Sequence, residues 1–123
     1  MKRIIATPDA PAAIGPYSQA VETNGILFVS GQLPVNPVTG EIPSGIEAQT
    51  RQSLENIMAI LKQAGLGPDN VAKTCVLLQH ISDFAAMNAV YAEFFPADKP
   101  ARVCYKVAAL PKGALVEIDA IAG

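Results

Sequence analysis

Tryptophan is absent from this sequence, histidine occurs once, at position 80, and cysteine only twice, at positions 75 and 104. With a single histidine, a multi-histidine metal centre cannot be built within one chain, so no metal is expected. Two cysteines are too few for a disulfide framework, and free thiols are expected of Cys75 and Cys104. Charge is also scarce. Nine Lys and Arg stand against eleven Asp and Glu, a formal net charge of −2, and the basic residues are scattered. Such a chain offers no electrostatic footprint to nucleic acid. No apolar run approaches the ~20 residues needed to cross a bilayer. Lys2 and Arg3 lead into only three apolar residues before Thr7, Pro8 and Asp9 intervene, too few for an export signal. The expectation is a cytoplasmic protein that uses no membrane.

Half of the 123 residues are hydrophobic, and a chain of this length hides roughly two-thirds of its unfolded surface on folding. One domain, residues 1–123, is expected. Ile4-Ile5 reads as a short strand. Asn24-Gly25 separates two strand-like runs, 19–23 and 26–30, and readily takes the positive φ angles of a tight hairpin. The stretch 31–45, rich in proline and glycine, reads as one long ordered loop. Ser44 and Glu47 suggest a capping box opening a helix from about 45 to 64, with Leu54, Ile57, Met58 and Leu61 at helical spacing and Gly65 as the stop. Residues 71–78 form an apolar, β-branched strand. Ser82 then suggests the cap of a second helix carrying Phe84, Met87, Tyr91, Phe94 and Phe95.

Two alternating segments follow, 101–108 and 114–121, expected to pair through a hairpin at Leu110–Gly113. The order strand, strand, strand, helix, strand, helix, strand, strand makes a two-layer α+β domain, a mixed β-sheet with both helices on one face. A sheet ~25 Å wide clothed by two helices of ~10 Å diameter leaves its second face bare. Sheets of neighbouring subunits are expected to close over that face, which the pattern assigns to Cys104 and a polar row; an open monomer is the alternative.

Among the three arginines, Arg51 is expected to pair with Glu47 or Glu55 on its own helix, and Arg3 sits in the N-terminal segment, which leaves Arg102. Held at a strand's beginning, its planar guanidinium suits a carboxylate, although a local ion pair is the competing reading. A hairpin of even length puts Arg102 and Cys104 on the face of Glu117 and Asp119, joining a cation to a carboxylate able to move protons. A structural ion pair is again the alternative. Asn88, on an apolar helix side, needs partners, whether a backbone or a ligand. Tyr17 reads as a packed ring, and Ser30 and Gly31 end a strand where backbone N–H groups are free for a ligand. Cys104 reads as an inert thiol. Gly65-Leu66-Gly67 lacks the third glycine of a dinucleotide fingerprint, so no nucleotide cofactor is indicated.

The segments AIGPYSQA (13–20), VSGQLPVNPVTGEIP (29–43), QTRQSLENI (49–57), DFAAMNAVYAEFF (83–95), PARVC (100–104) and LPKGALVEIDAIA (110–122) together resemble the reactive-intermediate deaminases, RidA, formerly YjgF. The resemblance covers nearly the whole chain. It implies a chorismate-mutase-like fold and a homotrimer with a central barrel, its sites in clefts between subunits. It implies hydrolysis of 2-imino acids, released by pyridoxal-phosphate dehydratases, to 2-keto acids and ammonia without a cofactor. The carboxylate-binding arginine falls on Arg102, the water-handling glutamate on Glu117, and the pocket residues on Tyr17, Ser30, Gly31, Asn88 and Cys104. A metabolite-binding trimer without catalysis is the alternative function. The chain departs from the family in a short 96–99 connection and in Val103, both beside Arg102, and in Asp119 where a second glutamate is usual.

Overall fold

The computed structural model describes residues 1–123. Six strands and two helices follow one another as β1 (Arg3–Ile5), β2 (Ala20–Thr23), β3 (Ile26–Gln32), α1 (Ile46–Gln63), β4 (Val71–Leu78), α2 (Phe84–Phe94), β5 (Ala101–Lys106) and β6 (Val116–Ala122). They form one mixed sheet in the order β1-β2-β3-β6-β4-β5, in which only β4 and β5 run parallel. Both helices pack on the same face, which gives the expected two-layer α+β fold. Leu54, Ile57, Ile60 and Leu61 of α1 and Met87 and Tyr91 of α2 are buried in one core with Leu27, Val76, Val116 and Ile118 of the sheet. No helix is long and apolar enough to cross a membrane.

Several local signals act as their chemistry dictates. Asn24 and Gly25 take φ of 51° and 76°, the paired positive angles that match a two-residue hairpin to the twist of its strands. Helix α1 closes on Gly65 at φ 79°, where the Gly65 N–H donates to Lys62 O and that of Leu66 to Leu61 O, a Schellman stop. The start of α1 differs from expectation. Gly45, at φ 90° and ψ 153°, occupies the cap position and Ser44 makes no capping bond, so the helix opens at residue 46. The Gln49 amide reaches back instead, donating to Pro43 O at 2.9 Å. Ser82 likewise lies inside a short 3₁₀ turn, Ile81–Asp83, and α2 starts behind Asp83.

The larger correction concerns β5 and β6. They do not form a hairpin, because β4 lies between them, parallel to β5 and antiparallel to β6. Residues 107–115 carry the chain across the end of β4, tied there by Val107 N–H to Leu78 O and Gln79 N–H to Leu115 O. Burial explains the order. Val116, Ile118, Ala120 and Ala122 are all buried, as a central strand requires, whereas β5 carries Arg102 and Lys106 and suits the edge.

Register now fixes which side chains share a face, because directly opposed residues point the same way. Arg102 opposes Thr74 and Cys104 opposes Val76 across β4 and β5, while Val76 opposes Ile118 of β6. Arg102 and Cys104 therefore lie on the helix face. Glu117 opposes Leu77, which opposes Tyr105, and Asp119 opposes Cys75, which opposes Val103. Glu117 and Asp119 thus stand on the open face, across the sheet from Arg102. Of the expected row, Glu117 and Asp119 stand on that face and Cys104 does not; the face also presents Phe28, Val103 and Tyr105, 44%, 43% and 51% exposed.

Candidate functional site

Seven residues carried the expected site, and the structure gathers them into two groups. Tyr17, Ser30, Gly31 and Glu117 line an open cleft of about 840 Å³ with Ile14, Gln19 and Lys112. A register irregularity between Val29 and Gln32 lets β3 bulge here, and Gly31 falls directly beneath Glu117. A Cβ at position 31 would lie 2.5 Å from Glu117 Oε2, so only glycine admits the carboxylate in this place. Ser30 is committed to the scaffold: its N–H donates to Gln19 O at 2.9 Å and its hydroxyl to Ser18 O at 2.6 Å. The expected free N–H is therefore not found at Ser30. Tyr17 is no packed core ring, being 53% exposed on the cleft wall.

The wall itself is held by Gln19. Its Oε1 accepts from Thr7 N–H at 2.7 Å, and its amide nitrogen donates to the carbonyls of Thr7, Ala10 and Pro11 at 3.1, 3.3 and 2.8 Å. Burial, then the neighbouring Asp119 carboxylate, pushes Glu117 above the ordinary glutamate range. Glu117 is thereby closer to neutral pH, as a group that takes and returns a proton requires.

Arg102 organises the second group, on the other face of the sheet at the β5 edge. One of its amino groups donates to Asn88 Oδ1 at 2.7 Å. Its Cζ lies 4.8 Å from the Tyr91 ring centroid and 5.5 Å from that of Phe84, so two rings of α2 flank the guanidinium. Asn88 thus finds its partner in Arg102. The two other arginines are paired with acids: Arg3 with Glu22 at 2.9 Å, and Arg51 with Glu93 of α2 at 3.0 Å, in place of the Glu47 or Glu55 expected on its own helix. Arg102 alone has no carboxylate. Its five N–H groups make one hydrogen bond within the chain, which leaves a fork of donors for an anion.

Cys104 sits on the same face, part-buried against the core. Burial pushes its thiol up more strongly than Arg102 draws it down, so it remains a neutral, poorly nucleophilic thiol near pH 7. No cluster of histidine, cysteine or acidic residues in the chain has the makings of a metal centre. Sequence reasoning missed Phe84, Tyr91 and Thr74 as the support of Arg102, and Gln19 as the support of the cleft wall. The signal for the first lay in the spacing of Phe84, Asn88 and Tyr91, which puts two rings and an amide on one stripe of α2.

Comparison with known proteins bears on the whole chain. A family model described as endoribonuclease L-PSP matches residues 7–123. The 2-iminobutanoate/2-iminopropanoate deaminase of Escherichia coli (strain K12) is 50% identical over 125 aligned positions, covering 99% of this chain and 98% of its own. The crystal structure of YyfA from Yersinia pestis, described as a protein of unknown function of the conserved Rid protein family, is similar with a TM-score of 0.97 and 51% identity, covering 100% of this chain and 99% of that one. That of E. coli TdcF with bound serine gives a TM-score of 0.95 at 48% identity, covering 98% and 97%.

Proposed function

This chain belongs to the endoribonuclease L-PSP family, and from that premise we propose that it hydrolyses small 2-imino acids to 2-keto acids and ammonia. The observation that carries the reading is Arg102, a part-buried arginine with no acidic partner, flanked by two rings and left with most of its donors free. A 2-imino acid brings the carboxylate that this fork fits. A relative solved with serine bound, a ligand that also carries a carboxylate, supports the same reading.

Arg102 and Glu117 stand on opposite faces of one sheet. The reaction therefore takes Arg102 from one copy and the Glu117 cleft from its neighbour. The open face supplies a surface for such a neighbour: Ile4, Val21, Phe28 and Ile121 are paired in one row across β1, β2, β3 and β6, an apolar stripe that water covers poorly. A homotrimer whose sheets close into a central barrel buries this stripe and brings each β5 edge to a neighbouring cleft.

In this site Arg102 fixes the substrate carboxylate, and backbone groups near Gly31 and Cys104 orient the imine. Glu117 takes a proton from water as its oxygen bonds to C2, whose C=N electron pair moves to nitrogen. Glu117 then passes that proton to nitrogen; the C–N bond breaks, ammonia leaves, and the C2 hydroxyl gives its proton back to the Glu117 carboxylate as the keto group forms. An iminium carbon is electrophilic enough to need no cofactor. Pyridoxal-phosphate dehydratases, which release such imines, are the natural suppliers, and the cytoplasm the natural setting. The family's descriptive name points to RNA instead, but a net charge of −2 with scattered basic residues suits a small anionic substrate better.

The test generates 2-iminobutanoate in place with a threonine dehydratase and follows 2-ketobutanoate. The wild type is expected to accelerate its appearance, and Arg102→Ala to lose at least about 100-fold in kcat/KM, as removal of a charged hydrogen-bonding group in a part-buried site does. Full activity in Arg102→Ala defeats the assignment. Ligand binding without turnover makes the protein a metabolite-binding module, and salt-sensitive RNA cleavage abolished by a site substitution restores the nuclease reading.

A further inference from the structure

We infer that Tyr91 is a positioning residue for Arg102, setting the plane of its guanidinium through a hydroxyl bond to Thr74. The inference rests on the reading of Arg102 as the carboxylate-binding group. Tyr91 is 7% exposed, and its phenol lies 2.7 Å from the hydroxyl of Thr74, which is 1% exposed. Thr74 is the residue directly opposite Arg102 in the β4–β5 pair. The three residues close a ring: strand to strand by register, Thr74 to Tyr91 by hydroxyls, and Tyr91 to Arg102 by its face at 4.8 Å.

Each link restrains a different freedom. The hydroxyl bond stops the Tyr91 ring from sliding or tilting, and contact at 4.9 Å and 46° with Phe95 adds support. A fixed ring face then holds the guanidinium by its attraction for the π cloud. Phe84 flanks it at 5.5 Å, and Asn88 fixes rotation in the plane by accepting one N–H. The remaining donors of the fork make no hydrogen bond within the chain. An arginine so held meets a carboxylate without first giving up side-chain freedom, and that advantage is the same for bound substrate and transition state. Loss of the support therefore raises KM and leaves kcat nearly intact.

Steady-state kinetics with 2-iminobutanoate, and calorimetric binding of 2-ketobutanoate, separate this role from core packing. Tyr91→Leu, assayed well below its melting temperature, is expected to raise KM and weaken 2-ketobutanoate about tenfold, with kcat within about twofold of wild type. A folded Tyr91→Leu with unchanged KM and affinity overturns the inference and leaves the function standing. Should that variant fail to fold, Tyr91→Phe and Thr74→Val decide: each is expected to raise KM two- to threefold, and the double variant no further, because both remove one shared bond. Additive effects, or none, overturn the inference. A wild type that neither turns over the imine nor binds the keto acid overturns the function itself.

Discussion

Glu117 carries two constraints at once, a glycine beneath it and a second carboxylate two residues along its strand. Burial is the larger cause of its raised pKa and Asp119 the smaller. With Glu117 as the proposed proton carrier, the acid limb of the pH–rate profile is therefore expected above the ordinary glutamate range. Asp119→Asn removes the lesser cause and should move that limb to lower pH by part of the displacement; kcat/KM measured from pH 4 to 9 checks it. Stability has the opposite sense. A carboxyl whose folded pKa is raised holds its proton longer when folded, so its penalty is absent at low pH and grows as pH rises through the ordinary and then the raised value. Glu117→Gln, always neutral, should accordingly exceed the wild type in Tm at pH 7 and match it near pH 4, in thermal scans at both. At this scale the sequence disclosed the residue types but not their company. Arg102 emerged by eliminating two other arginines, a step that survives although Arg51 has a different partner. Which face each side chain occupies was beyond reach, since one unforeseen strand between β5 and β6 reverses the parity.

Within elements, patterns set by near neighbours were legible. The Asn24-Gly25 hairpin, the β4 strand, the two helices and the Gly65 stop all follow from chemistry within a few residues. Both expected serine caps were misplaced, because Gly45 and a 3₁₀ turn alter the helix starts by means that side-chain type does not announce. Helix α1 also does more than cover the sheet. Its buried Asn56 donates to Leu33 O at 3.2 Å and Val35 O at 3.0 Å, while Gln49 takes the N–H of Leu115 at 2.8 Å. These amides keep the long loop and the approach to β6 ordered, and Asn56 sits inside the apolar repeat, Leu54 to Leu61, that first marked the helix. Asn56→Leu leaves two loop carbonyls without donors, and urea unfolding should show a loss of about 2–3 kcal/mol. The cleft-lining part of that loop, Leu33 and Val35, is expected to loosen with it, seen as faster amide exchange there.

At the level of the whole molecule, the sheet carries Arg102 and Glu117 on opposite faces, and under the proposed function neither copy alone acts. Light scattering is expected to give three times the 12.9 kDa chain mass. Mixing unfolded Arg102→Ala and Glu117→Gln chains and refolding them together should restore up to about a quarter of wild-type sites, because each site needs one intact residue from either parent in a closed ring. No recovery in a proven mixed oligomer would place both residues in one chain's site and overturn the shared arrangement. The proposed sharing is what family resemblance and a bare sheet face imply; local pattern alone assigned both residues to one surface. Gln19 bears on the molecule's history as much as its shape. Four bonds from one amide fasten the segment that fronts the cleft, so drift at position 19 is closed to glutamate, which offers no donor to three carbonyls, and to asparagine, which is one methylene too short to reach them. A lineage keeping this cleft is tethered to glutamine at a position that need never meet the substrate.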